Sequence, residues 1–309
     1  MFAKKSLIFG TLLGILTAGS TACAQGEGDK FVRDSLDRLL MQRTIECDIR
    51  IETVVDGKGY AAWGHYAEQV LPQATSGTFL RSQYRLEINF PMNSPVNTPA
   101  GNDLAPNQMT LVCRVSADGG TRQIEQYTFI EGTKLFRTID LNRLEDRLKT
   151  AQREVFFSQV SEVRNLGGLT GKMRQISRFY EFALPAQEDL QEEETIPALK
   201  LIGTLRRVYH KELLTQFGGL DKQGRYPSDF PSDIELWLGR HNDFPYKIRY
   251  LRRTSEKSEQ KTLLLQESYY NVVLNGPPIP DSKFSELTVS DDVVRKTDET
   301  DTFIRALGL

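Results

Sequence analysis

The residues of this 309-residue chain whose types could do chemistry are few, and their spacing matches no reaction. Its three histidines, His65, His210 and His241, have no zincin spacing and no Cys-x-x-Cys partner, so they read as surface or strand-end histidines. No Gly-x-Ser-x-Gly nucleophile elbow occurs. Gly167-Gly168-Leu169-Thr170-Gly171-Lys172 comes near a phosphate loop, whose backbone N–H groups cradle phosphate and whose Ser or Thr holds magnesium. Counted from Gly167 it is one residue short, Leu166 stands where a glycine is needed, and Met173 replaces the hydroxyl residue. These glycines read instead as the opening of a helix that packs closely. Asp221 with Asp229, and Asp291 with Asp292, lie in polar stretches without the burial that would raise a carboxyl pKa, and read as turn formers. The sequence therefore predicts no catalytic residue, no metal and no cofactor. An enzyme would need a site assembled from distant residues.

Apolar surface is the other resource. Tyr84, Leu86, Ile88, Phe90, Met109, Leu111 and Val115 fall on strand phases, and Leu169, Met173 and Ile176 recur at helical spacing. Together they are candidates for lining a cavity that takes an acyl chain. The same ten residues also suit an ordinary packed core, and periodicity does not separate a filled interior from a hollow one.

The elements that would position them begin with a helix over 30–42, N-capped by Asp29, with Val32, Leu36, Leu39 and Leu40 on one side. The period then changes to two: Ile45, Cys47, Ile49 and Ile51 alternate with Glu46, Asp48, Arg50 and Glu52. Further strands are expected over 60–69, 80–90, 109–115, 122–130 and 134–141, joined as a meander, with a Pro/Asn-rich loop over 91–107. Helices are expected over 142–153 and 168–179, a solvated acidic loop over 188–194, and strands over 198–208, 234–238, 246–250, 262–275 and 284–289. Without a repeating β-helix-β unit, the fold class is α+β, mainly antiparallel β. The expected form is a strongly curved open sheet, a half-barrel, with helices covering the concave side.

Met1–Lys5 is a short basic start, 6–18 an apolar run and Ala22-Cys23-Ala24 a small-x-small site, the three parts of a secretory signal. Residues 1–24 are thus expected to be cleaved, leaving 25–309 as one exported, periplasmic domain; the alternative is lipid anchoring through Cys23. No later stretch is long and apolar enough for a transmembrane helix. A net charge of −2 with interspersed signs argues against nucleic acid as a partner. Cys47 and Cys113 remain, either as a disulfide or as free core residues.

Several stretches carry a family likeness: Phe79-Leu80-Arg81-Ser82-Gln83-Tyr84-Arg85-Leu86-Glu87, Asn165-Leu166-Gly167-Gly168-Leu169 opening a helix, Asp233–Gly239 followed by Phe244-Pro245-Tyr246-Lys247-Ile248, and Asn275–Phe284 before a closing strand. With the order of elements, they make the mature chain resemble the LolA-like periplasmic lipoprotein-carrier family. The resemblance implies a half-barrel with a helical lid over an apolar pocket. It also implies a non-enzymatic carrier whose partner is an acyl lipid or lipoprotein, with an envelope protein and transient membrane contact as further partners. The alternative on the same fold is a sensory or interaction protein with a closed cavity.

Overall fold

The computed structural model describes residues 26–55, 58–70, 82–90, 107–115, 122–130, 133–150, 168–191, 195–285 and 295–306. Residues 286–289 of the strand expected at 284–289, the loop at 91–106, Leu80, Asp291 and Asp292, and the signal segment fall outside them, while Phe284, expected to open that strand, ends a 3-10 turn over Asp281–Phe284.

Alternation of apolar and polar residues builds the first half as a meander: β1 (Thr44–Val55), β2 (Lys58–Val70), β3 (Ser82–Phe90), β4 (Asn107–Val115), β5 (Arg122–Ile130) and β6 (Thr133–Asp140), each antiparallel to the next. After them come β7 (Tyr180–Phe182), β8 (Ala186–Gln187), β9 (Leu190–Gln191), β10 (Thr195–Ile196), β11 (Ala198–Leu205), β12 (Asp233–Gly239), β13 (Pro245–Arg253), β14 (Lys261–Leu274) and β15 (Arg295–Asp298). One 13-stranded sheet runs β15-β6-β5-β4-β3-β2-β1-β14-β13-β12-β11-β7, with β8 also on β11. It is curved and not closed, and antiparallel except where β15 adds in parallel to β6.

Among the described residues the helices are α1 (Asp29–Met41), α2 (Leu141–Thr150), α3 (Gly168–Phe179), α4 (Arg207–Gln216) and α5 (Thr300–Ala306). Apolar residues of α1 and α3 join one face of the sheet in a single hydrophobic core, which we call the apolar face. In α3, Leu169, Met173, Ile176 and Phe179 are all buried, worth roughly 1.5–3 kcal/mol each. The Asp140 carboxylate accepts from the N–H groups of Asn142 and Arg143 at 2.9 and 3.1 Å, capping α2.

Some expectations need correction. Asp29 does not cap α1: Gly28 holds that position, and the Asp29 carboxylate turns inward to accept from the Phe182 N–H at 2.8 Å and the Arg206 guanidinium at 2.5 Å. The strand expected to run to 208 stops at Leu205 and gives way to α4, whose apolar side rests on Leu213 with Tyr209 and Leu214 half-buried. The acidic stretch from Glu188 is not simply a solvated loop. β9 pairs with β10, Leu190 is buried against Ala198 and Trp237, and the Trp237 indole donates to Glu188 at 3.1 Å. Cys47 and Cys113 are buried and unbonded.

Candidate ligand site on the apolar face

Register places the strand side chains in rows across the sheet. On the apolar face one row reads Glu68, Tyr84, Cys113, Ile124, Ile139 across β2 to β6, and all five are buried. Another reads Ile88, Met109, Thr128, Leu135 across β3 to β6, and begins buried. Between them lies a third row, Tyr66, Leu86, Leu111, Gln126, Arg137. Tyr66 is buried, but the other four members are only half-buried. The middle row is thus accessible while its flanks at β3 and β4 are sealed. This row is apolar at Leu86 and Leu111 and polar at Gln126 and Arg137. The Arg137 guanidinium pairs with Glu299 at 3.3 Å and is 42% exposed.

α3 lies against the Tyr66 end of this row and is fastened by buried polar groups. Gly168 opens it at φ +61°, and a Cβ there would meet the Tyr66 hydroxyl at 2.4 Å. The same hydroxyl accepts from the Leu169 N–H at 2.9 Å and donates to Glu68 at 2.6 Å. Burial, then the Glu68 carboxylate, holds the Tyr66 phenol well above its usual pKa, so it stays a donor. One turn on, Lys172 Nζ donates to Glu267 Oε2 at 2.5 Å, and Tyr269 donates to the same oxygen at 2.9 Å. The glycine run that came near a phosphate loop is therefore a close-packing helix start, and its lysine is committed to a carboxylate of β14.

Of the ten residues singled out from the sequence, Tyr84, Ile88, Met109, Leu169, Met173 and Ile176 are brought together in the buried core. Leu86 and Leu111 pack against that core half-exposed, and they face each other across β3 and β4. Phe90 and Val115 lie in β3 and β4, and their side chains are outside the described residues. Sequence reasoning missed Gln126, Arg137, Lys172 and Glu267. The two on β5 and β6 occupy core-phase positions with polar side chains, and that break in alternation was the signal available.

Chemically the arrangement offers apolar contact with a polar end. Among the described residues no group of three His, Cys, Asp or Glu side chains is placed to hold a metal. The Cys47 thiol is pushed up by burial and, less, by Asp48 and Glu68, which leaves it an inert core residue. No described helix is long and apolar enough to cross a membrane.

No protein-family model and no curated protein matches the sequence. Solved structures do match it. The complex of Pseudomonas aeruginosa MucA and MucB is 15% identical with a TM-score of 0.39, covering 84% of this chain and 62% of that one. LprF from Mycobacterium bovis is 12% identical with a TM-score of 0.36, covering 83% and 97%. A LolA superfamily protein from Nitrosomonas europaea is 11% identical with a TM-score of 0.24, covering 85% and 99%.

Proposed function

We propose that the protein is a non-enzymatic, exported binding protein or carrier for an acylated ligand, a lipid or a lipoprotein. The acyl chain lies in a trough over Leu86 and Leu111, α3 acts as its lid on the concave side, and the headgroup sits toward Gln126 and Arg137. The observation that carries this reading is the half-buried middle row between sealed rows: a fully packed core would leave Leu86 and Leu111 as covered as Tyr84 and Ile88 beside them. An amphiphile matches a recess that is apolar inside and polar at its mouth, where Gln126 and the Arg137–Glu299 pair lie. In the mature form, cleaved after Ala24 or anchored through Cys23, the chain would work in the periplasm, where acyl chains need a carrier to cross water.

The test is displacement of a fluorescent fatty acid by saturated fatty acids of increasing length. Each buried methylene contributes about 0.8 kcal/mol, so affinity rises about fourfold per methylene until the trough is filled. Leu86→Gln with Leu111→Gln weakens every member of the series. Affinity independent of chain length, or unaffected by the double substitution, contradicts the reading.

A further inference from the structure

The opposite face of the same strands carries a cleft of about 550 Å³, within the size range of small-molecule sites. Its floor is a straight row: His65 of β2 faces Glu87 of β3, Glu87 faces Thr110 of β4, and Thr110 faces Tyr127 of β5. One side is walled by the 3-10 turn Asp281–Phe284. That wall is held in place. Phe284 is buried with Ala67 and Ile279, the Ile279 N–H donates to the Gln69 side chain at 2.8 Å, and the Arg85 guanidinium donates to the Lys283 carbonyl at 3.2 Å.

The charges in the cleft decide what class of ligand fits. Arg85 donates to Glu87 at 2.6 Å, Lys283 to Glu46 at 2.7 Å, and His65 Nδ1 sits 3.2 Å from Asp48. Arg85 and Lys283, the cations lining the cleft, each already face a carboxylate, so an anion would have to displace one and would meet its repulsion. These pairs fix an array of charged but mutually balanced donors and acceptors. Between them the hydroxyls of Thr110 and Ser282 and the amide of Gln108 add neutral groups that both donate and accept, and the Ser285 hydroxyl, which donates to the Ser282 carbonyl at 2.8 Å, keeps lone pairs that accept. The half-buried Tyr127 ring adds a flat apolar surface at the end of the row.

A ring with a hydroxyl rim and an apolar C–H face matches that combination. We propose that this cleft binds a neutral sugar ring as part of an oligosaccharide, stacked on Tyr127 and hydrogen-bonded along the Glu87–Thr110 row. The site is on the face opposite the trough, so it stands or falls independently of the acyl-ligand reading.

The experiment is isothermal titration calorimetry of the mature protein with maltotriose, cellotriose and triacetylchitotriose, with inorganic phosphate and acetate as anionic comparators. The expected result is binding of at least one trisaccharide at millimolar or lower concentration, unaffected by phosphate. Tyr127→Ala and Thr110→Val, each melting as the parent does, should weaken it about tenfold. Thr110→Val exchanges the hydroxyl for a methyl at nearly constant shape and carries the test should Tyr127→Ala fail to fold. No binding by any of the three sugars, competition by phosphate or acetate, or binding indifferent to the loss of the Thr110 hydroxyl overturns the proposal.

Discussion

Replacing Lys172 by Met removes an ammonium that sits 2.5 Å from Glu267 Oε2 inside the core. The two side chains are 11% and 3% exposed, so solvent has little access to the carboxylate left behind. That carboxylate would retain the Tyr269 hydroxyl at 2.9 Å but no counter-charge. An orphaned buried charge of this kind costs about 3–5 kcal/mol. Adding Glu267→Gln removes the charge, keeps an acceptor for Tyr269, and should leave a net loss of about 1 kcal/mol, the size of one neutral hydrogen bond. The double variant is therefore expected to be about 2–4 kcal/mol more stable than the Lys172→Met single variant, and the coupling, which also contains the cost of Glu267→Gln alone, is at least that large. Urea unfolding of the parent, both single variants and the double variant measures this cycle. Two small single losses that simply add would refute the claim that this ion pair fastens α3 to β14.

Gly168→Ala brings a methyl 2.4 Å from the Tyr66 hydroxyl and 3.1 Å from Glu68 Oε2 at φ +61°, and should destabilise by about 2–4 kcal/mol in urea unfolding. For Asp233, burial alone raises the carboxyl pKa, but hydrogen bonds from Arg253, Lys261 and Ser232 outweigh it and hold the group below its usual range. A lowered folded pKa means stabilisation that is present above about pH 4, the unfolded value, and is lost as pH falls through the lower folded one. Asp233→Asn should therefore lower the urea midpoint at pH 6 and flatten its fall toward pH 3. Cys47 and Cys113 should resist iodoacetamide at pH 8 in the folded protein and label fully in urea; stoichiometric labelling of the native form would show the core is open there.

The meander was legible because Ile45, Cys47, Ile49 and Ile51, and likewise Tyr84, Leu86 and Ile88, alternate on strands with one wet face. α3 was legible to the residue because Leu169, Met173 and Ile176 keep helical spacing and Gly168 marks its start. α4 was not, since it buries few apolar side chains and so prints no period. Asp29 misled because an acidic residue before a helix is ordinarily a cap, whereas here Arg206, distant in sequence, draws it inward. The candidate ligand row was half legible: its apolar residues share a phase. That Leu86 and Leu111 stay accessible between covered neighbours depends on where α3 lies across the strands, which no local pattern encodes. The polar cleft was hidden for the same reason, as its wall comes from Ser282 and Lys283, far along the chain from His65 and Arg85.

The most direct test of the acyl-ligand account is native mass spectrometry of the purified mature protein, followed by lipid analysis of whatever denaturation releases. The account predicts acyl lipid bound at one per chain, and its loss when Leu86→Trp and Leu111→Trp fill the trough. A clean unliganded mass that offered lipids do not change would contradict it.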